Sequence, residues 1–168
     1  MSKVPILSIV SESGIGKTTL LEKVVKEMKR RGFKLAVIKH TQHFEIDQEG
    51  KDTSRLAKAG ADIVAISSPD KFALIEKPKT ELSIDDIASR MPDVDIILTE
   101  GYKKGDKPKI EVFRSQVSTK LICRPEELVA IVSDIPWNIG VPWYHLDDVS
   151  GLTDEIVRFM NSFYKKNI

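Results

Sequence analysis

A glycine-rich turn near the start of the chain holds the residues best suited to chemistry. Residues 11–19 read Ser-Glu-Ser-Gly-Ile-Gly-Lys-Thr-Thr; they follow the apolar run Ile6 to Val10 and open an amphipathic stretch. Backbone N–H groups in such a turn curl around an anion, and the following helix dipole adds to their field. Lys17 would reach the β and γ phosphates of a nucleoside triphosphate, and the Thr18 hydroxyl would reach a Mg²⁺ bridging them. The turn therefore predicts a P-loop between a strand and a helix. The predicted phosphate-binding residues are Ser13, Gly14, Ile15, Gly16, Lys17, Thr18 and Thr19.

One position departs from the usual P-loop pattern, which begins with a glycine. Ser11 stands there, and a serine held in a left-handed backbone conformation would cost about 1–2 kcal/mol. Several phosphate contacts would offset that cost. The competing interpretation is a glycine-rich turn without a ligand, but the apolar run before it and the helical pattern after it favour the P-loop.

A carboxylate at the end of a second apolar run is suited to the metal side of the same site. Residues 95–101 read Asp-Ile-Ile-Leu-Thr-Glu-Gly, which indicates a buried strand that ends at Glu100. Asp93 and Asp95 are competitors, but they precede the apolar residues and would lie at the opposite end of a parallel strand. Ligands gather at the carboxyl ends of such strands, so Glu100 and Thr18 are the predicted Mg²⁺ residues. The alternative is an exposed glutamate at a strand end.

A third apolar run, Leu128 to Ser133, places Asp134 at its carboxyl end. A carboxylate there could accept the N1 and N2 protons of guanine, whereas adenine offers no such pair of donors. Asp134 is therefore a candidate for reading guanine. The fuller Asn-Lys-x-Asp pattern does not occur, and an aspartate that caps a helix or forms a turn fits the sequence equally well.

Hydrolysis would require a group that orients the attacking water. Lys17 would stabilise the charge that spreads over the γ-phosphate, and Asp47 or Asp52 could orient the water from the loop after the second strand. The sequence does not assign an arginine finger, and Arg55 and Arg114 both stay open. We expect a slow reaction at most.

Composition fits one nucleotide-binding domain over residues 1–168. The chain has 26 basic and 25 acidic residues, and this balance argues against a dedicated nucleic-acid surface. Its single cysteine, Cys123, cannot form an internal disulfide, so the cytoplasm is the expected compartment. The apolar segment at the start is too short for a membrane span.

Apolar runs alternate with helical patterns along the chain. This order predicts an α/β fold of the three-layer P-loop NTPase type, with a mostly parallel sheet, helices on both faces and an antiparallel hairpin. The predicted strands are Ile6–Val10, Leu35–Lys39, Ile63–Ser67, Phe72–Ile75, Asp95–Gly101, Leu128–Asp134 and Trp143–Leu146. The predicted helices follow Lys17, begin near Asp52 and after Ser83, and cover about Leu152 to Tyr164.

The chain as a whole resembles the MobB family, the molybdopterin-guanine dinucleotide biosynthesis proteins B. The segments that carry the resemblance are Ser13 to Leu21, Val37 to His40, Gly50 to Thr53, Glu100 to Lys103 and Pro108 to Val112. The resemblance implies a dimeric protein that binds GTP and Mg²⁺ and has at most weak GTPase activity. It also implies that the protein acts together with the guanylyltransferase MobA, which attaches GMP to molybdopterin. In this family resemblance, Glu100 would be the acid of the second nucleotide motif.

Two further interpretations come from the residues. The lysine-rich segment Tyr102 to Lys109 is a candidate loop for an anionic ligand such as the phosphate of a pterin, or simply a solvated loop. A small-molecule kinase is the alternative function for the whole chain. A kinase usually needs an arginine-bearing lid, and the sequence offers no arginine-rich segment of that kind.

Overall fold

The computed structural model describes residues 3–44 and 49–166. The chain divides into two compact units: a larger one made of residues up to His40 and from Asp85 onward, and a smaller one from Thr41 to Ile84. The prediction of a single domain over residues 1–168 stays a prediction.

A parallel sheet forms the centre of the larger unit. In the described residues it has six strands in the order β2-β5-β1-β6-β7-β8, and neighbouring strands run parallel. The strands are β1 (Ile6–Val10), β2 (Leu35–Lys39), β5 (Ile96–Glu100), β6 (Lys109–Phe113), β7 (Leu128–Ser133) and β8 (Trp143–His145). Because β1 lies in the middle, the segment that follows it begins at the centre of the carboxyl edge, where ligands collect in such sheets.

Two long helices pack together in this unit. Helix α1 (Lys17–Arg30) buries Leu20, Leu21, Val24 and Met28, which recur at helical spacing, and it packs against α4 (Val149–Lys166). Helix α1 ends where the N–H groups of Gly32 and Phe33 donate to the carbonyl oxygens of Lys29 and Met28. This buried face fixes the first turn of α1 beside the end of β1. Helix α3 (Ile84–Ser89) and a 3₁₀ turn (Pro125–Glu127) are short.

Strand β6 is the element that the sequence prediction missed. It lies next to β1 in the interior of the sheet and is buried throughout. It has no continuous apolar run, because Lys109 and Glu111 alternate with its apolar residues. Both charges are buried and bonded: Lys109 Nζ donates to Gly105 O at 2.7 Å and pairs with Glu127 at 2.9 Å.

The smaller unit consists of α2 (Asp52–Lys58), β3 (Ile63–Ser67) and β4 (Phe72–Glu76). The two strands form an antiparallel hairpin, as predicted, and Val64 pairs with Ile75 on the side that is more buried. The opposite positions leave Phe72 67% exposed and Leu74 48% exposed. A two-stranded hairpin of this kind has little core of its own.

The structure confirms the predicted α/β fold with a mostly parallel sheet and an antiparallel hairpin. The predicted C-terminal helix is longer than expected, because α4 begins at Val149 and continues to Lys166. Among residues 3–44 and 49–166, no helix is both long and apolar enough to cross a membrane.

Candidate functional site

The predicted P-loop joins β1 to α1 at the carboxyl edge of the parallel sheet. Gly14 and Gly16 have φ angles of 77° and 95°, in the left-handed region that a glycine adopts without steric cost. Ile15, between them, is buried in the core and anchors the loop. Gly16 occupies the N-cap position of α1 and no side chain caps it, so the first-turn N–H groups remain available to an anion. A Cβ at Gly14 would meet no atom within 4 Å, which leaves open space at the loop.

Ser11 replaces the first glycine of the pattern without backbone strain. Among the described residues, Tyr102 is the only non-glycine residue with a positive φ angle, so the cost considered for Ser11 does not arise. The Ser11 side chain is buried, and its hydroxyl accepts a hydrogen bond from Lys17 Nζ at 2.8 Å. The serine therefore helps to hold the loop lysine over the start of the loop.

Lys17 lies in a crowded positive environment. Its ammonium group also donates to Glu12 O at 3.4 Å. Partial burial lowers the pKa of Lys17 below its usual range, and Lys103 and Lys39 lower it further, while Glu100 acts in the opposite direction. A group in this setting gains from an added anion, because the anion would offset both neighbouring ammonium charges.

Thr18 and Glu100 meet across the site. Thr18 Oγ1 donates to Glu100 Oε1 at 2.8 Å, and Lys39 Nζ lies 3.7 Å from the other carboxylate oxygen. The Glu100 side chain is only 13% exposed, and its competitor Asp95 accepts a hydrogen bond from Lys34 N at the opposite edge of the sheet. A hydroxyl and a carboxylate are oxygen ligands of the kind that Mg²⁺ prefers, so this pair fits the predicted metal position.

Arg114 holds the P-loop from the neighbouring strand. It follows β6, and its Nε donates to the carbonyl oxygen of Ile15 at 2.9 Å. One terminal nitrogen of its guanidinium would lie 3.9 Å from a Cβ on Gly16. The structure thus brings one of the two open arginines to the loop. The sequence could not reveal this contact, because it depends on β6 lying next to β1.

Asp134 supports the loop after β6. Its carboxylate accepts hydrogen bonds from Ser115 N at 2.9 Å and from Ser115 Oγ at 2.8 Å. These bonds, that from the Ser115 backbone above all, lower the pKa of Asp134 below its usual range. The geometry matches the turn-forming alternative, and guanine recognition by Asp134 stays a prediction.

The loop after β5 carries backbone strain. Tyr102 has a φ angle of 55°, and such a conformation in a non-glycine residue costs about 1–3 kcal/mol. The strain is held by its neighbours, since Gly101 N donates to Ile9 O and Gly105 N donates to Tyr102 O. Strained backbone persists where surrounding contacts determine it, and it clusters at ligand sites.

Comparison with known proteins identifies the family. The model of the family described as "Molybdopterin guanine dinucleotide synthesis protein B" matches residues 6–134. The chain is 40% identical to the molybdopterin-guanine dinucleotide biosynthesis adapter protein of Escherichia coli (strain K12), with 94% of each chain covered. It is 30% identical to the Haemophilus influenzae protein of the same name, over 97% of this chain and 93% of that one. The chain belongs to the MobB family.

Solved MobB structures share its fold. A crystal structure of molybdopterin-guanine biosynthesis protein B superposes with a TM-score of 0.72 at 30% identity, covering 92% of this chain and 99% of that chain. The Bacillus subtilis MobB structure gives a TM-score of 0.72 at 25% identity, covering 92% of this chain and 96% of that one. The resemblance to MobB inferred from sequence motifs is therefore confirmed.

The remaining predicted residues of this MobB family member differ in their placement. Ser13 and Thr19 are exposed, on the P-loop and in the first turn of α1. Asp52 begins α2 in the smaller unit, where it lies 3.9 Å from Arg55. Asp47 lies outside the described residues. A role in orienting water stays a prediction for both aspartates.

Proposed function

We propose that this MobB family member binds GTP with Mg²⁺ at its P-loop and acts as a nucleotide-dependent adapter in molybdopterin-guanine dinucleotide biosynthesis. The adapter would work beside the guanylyltransferase MobA, with molybdopterin as the molecule that receives GMP. The observation that carries the proposal is the hydrogen bond from Thr18 to Glu100, which joins the start of α1 to the end of β5. The Escherichia coli and Haemophilus influenzae relatives are both named as adapter proteins of molybdopterin-guanine dinucleotide biosynthesis, which supports the adapter role.

The proposed binding mode assigns a role to each part of the site. The N–H groups between Gly14 and Thr19 would hold the phosphates, and Lys17 would add a point charge at the β and γ positions. Thr18 and Glu100 would hold Mg²⁺. The metal would supply charge neutralisation between the phosphate oxygens. Arg114 would keep the loop in shape through Ile15 O.

We propose that hydrolysis is slow. Fast GTP hydrolysis needs a group held in place beside the attacking water. The one described candidate, Asp52, is 96% exposed at the start of a helix and has only a distant arginine partner. A nucleotide that stays bound for a long time suits an adapter, whose bound state is what a partner would recognise.

A homodimer formed through the smaller unit is part of the proposal. The exposed side of the hairpin presents Ile63, Phe72 and Leu74 to solvent. Direct cross-strand pairing places Leu74 opposite Ala65, Phe72 opposite Ser67 and Ile63 opposite Glu76, so both strands contribute to one largely apolar face with a glutamate at one end. An apolar face on a hairpin with little core is stabilised when a second copy covers it.

Calorimetric titration tests the nucleotide part of the proposal. We expect GTP in Mg²⁺ to bind the parent protein, and Lys17→Ala to lose at least about 100-fold in affinity. Lys29→Ala, which removes a lysine from the other end of α1, is the matched control and should bind like the parent. No uptake of GTP or ATP by the parent would overturn the P-loop assignment. Preference for ATP with stoichiometric phosphate transfer to a small molecule would favour the kinase alternative.

A reconstituted assay tests the adapter part. MobA, GTP and molybdopterin would be mixed with the parent protein or with Lys17→Ala, and formation of the dinucleotide would be followed by chromatography. We expect the parent protein to raise the rate and the variant to raise it less. Equal stimulation by both proteins would separate the adapter role from nucleotide binding.

Light scattering tests the dimer. The double substitution Phe72→Ser with Leu74→Ser should give a monomer, while Ile139→Ser, at an exposed apolar position of the larger unit, should leave the dimer intact. A parent protein that is monomeric at micromolar concentration would overturn this part.

A further inference from the structure

A lysine and an aromatic residue lie at or just after the carboxyl end of each of two neighbouring strands in the larger unit. Lys39 ends β2 and precedes His40, while Tyr102 and Lys103 follow the end of β5. The rings of His40 and Tyr102 contact each other, with centroids 4.5 Å apart and planes tilted by 37°. We call these four residues the ring–lysine cluster.

The backbone fixes the position of the rings. Lys39 lies opposite Glu100 in the sheet, and His40 N donates to the carbonyl oxygen of Glu100 at 3.0 Å. Gly101 passes close to His40: a Cβ on Gly101 would lie 3.4 Å from the Cβ of His40. Tyr102 follows Gly101 with a left-handed backbone. The backbone therefore brings the two residues side by side, and their rings are in contact.

The cluster adjoins the phosphate end of the P-loop. Lys39 Nζ lies 3.7 Å from one carboxylate oxygen of Glu100, and the other accepts a hydrogen bond from Thr18 in the first turn of α1. Both cluster lysines also lower the pKa of Lys17. Strand β5 lies on one side of β1, while β6 and β7 lie on the other. Asp134, the candidate for reading guanine, follows β7, so the rings lie on the side of the loop away from the predicted base position.

We propose that the ring–lysine cluster binds a second ligand, a planar aromatic heterocycle that carries a phosphate. The tyrosine and histidine rings provide an aromatic surface on which a flat heterocycle stacks. Lys39 and Lys103, both exposed and adjacent in sequence to the two ring residues, provide positive charges for a phosphate. The inference rests on the proposed function only in that it takes the P-loop itself to be occupied by GTP.

Fluorescence titration with 6-hydroxymethylpterin phosphate tests the proposal. The probe would be added to the protein with and without saturating Mg²⁺ and a non-hydrolysable GTP analogue, and 6-hydroxymethylpterin and inorganic phosphate would be titrated in parallel. We expect one probe per chain in both states, and at least tenfold weaker binding of either fragment. No binding of the probe to the parent protein would overturn the proposal. Displacement of the probe by the GTP analogue would assign the rings to the nucleotide and also overturn it.

Variants of the cluster identify the residues responsible. Tyr102→Asn should weaken probe binding at least tenfold, and asparagine tolerates the left-handed backbone, so the fold is kept. Tyr102→Phe retains the ring and should bind the probe like the parent. Lys103→Ala should reduce the advantage of the phosphorylated probe about tenfold, whereas Lys104→Ala, the same change at the next residue, should not. Unchanged probe binding in Tyr102→Asn would overturn the proposal.

The two proposals fail in different ways. GTP binding without probe binding would remove the second site and leave the proposed function intact. Probe binding by a protein that takes up no GTP would overturn the proposed function and leave the second site intact. We expect Lys17→Ala to bind the probe like the parent although it binds GTP weakly, which would separate the two sites.

Discussion

Two glutamates flank β1 at nearly the same level of the sheet, but they differ in burial and in hydrogen-bond partners. Glu100 on β5 lies opposite Ile9, and Glu111 on β6 lies opposite Val10. Glu111 is buried and accepts hydrogen bonds from the backbone N–H groups of Ile122 at 2.7 Å and Cys123 at 2.9 Å. Glu100 has a hydroxyl and a lysine as partners, both of which can move. The partners, more than the position at the sheet edge, distinguish a structural carboxylate from one suited to a ligand.

The surroundings of Glu111 are built to hold charge inside the protein. The Lys109 ammonium is paired with Glu127, and burial raises the pKa of the Cys123 thiol to about 12, with a further contribution from Glu111. Such a thiol stays protonated and unreactive at neutral pH. This cluster stabilises the loop from Val117 to Glu127, and it offers no exchangeable ligand.

Replacing Glu111 by glutamine gives the largest expected effect. The amide retains one acceptor but sets its NH₂ group against a backbone donor, and we expect the free energy of unfolding to fall by about 3 kcal/mol. Urea denaturation measures the change, and Glu126→Gln, on the exposed 3₁₀ turn, is the matched control. If the free energy of unfolding falls no more in Glu111→Gln than in Glu126→Gln, Glu111 does not hold the loop.

The same substitution at Glu100 should act on ligand binding. We expect GTP affinity in Mg²⁺ to fall about 30-fold, because groups that hold or orient a metal typically change its binding by 10–100-fold. In excess EDTA the parent and Glu100→Gln should bind equally. Titration under both conditions is the measurement, and an equal loss in EDTA would remove Glu100 from the metal side of the site.

Asp134→Asn tests whether a carboxylate bonded to Ser115 also reads a base. We expect the preference for GTP over ATP to fall about tenfold, or about 1.4 kcal/mol. Competition titration with both nucleotides gives the ratio. An unchanged ratio together with a lower melting temperature would assign Asp134 to the Ser115 loop alone.

The smallest expected effect is a pH dependence of stability through Glu127. Hydrogen bonds from Lys109 and then from Arg124 lower the pKa of Glu127 from 4.5 to about 2. A carboxylate with a depressed pKa stabilises the fold above its unfolded-state value, and this contribution disappears as the pH falls from 4.5 to about 2. Urea denaturation across that range should show a shallower loss for Glu127→Gln than for the parent. If the free energy of unfolding falls equally with pH in the parent and in Glu127→Gln, the bonds of Glu127 do not cause the pH dependence.

The fold was predictable where local patterns carry it. The apolar runs of β1, β5 and β7 and the helical spacing in α1 predict those elements directly. Strand β6 has no continuous apolar run, because Lys109 and Glu111 alternate with apolar residues as in a strand with one solvent-facing side. Its burial on both sides was not predictable, because the partners Glu127, Ile122 and Cys123 come from a later segment. A buried charge is recognisable only once those tertiary partners are known.

The site likewise has features that local sequence predicts and features that depend on tertiary packing. Glu100 could be placed from strand polarity alone, since parallel strands share one carboxyl edge. The contact of Arg114 with Ile15 and that of His40 with Tyr102 depend on which strands are neighbours, and the local sequence does not contain strand order. The motif predicts a phosphate ligand, which stays a prediction, while the packing shows how the loop is supported.

The smaller unit interrupts the chain between β2 and β5, two strands that are paired with each other. Every strand of the parallel sheet thus lies outside residues 41–84. His40 and Asp85 are therefore the junctions at which a longer linker or a hairpin from a relative could replace the segment. Because β2 and β5 run parallel, such a linker has to return from the carboxyl edge of the sheet toward its amino edge, where Asp85 pairs with Lys107 just before β6. If the proposed dimer forms through the smaller unit, a linker at these junctions should give a monomer and a relative's hairpin should give a mixed dimer, while the strands of the parallel sheet keep their own sequence.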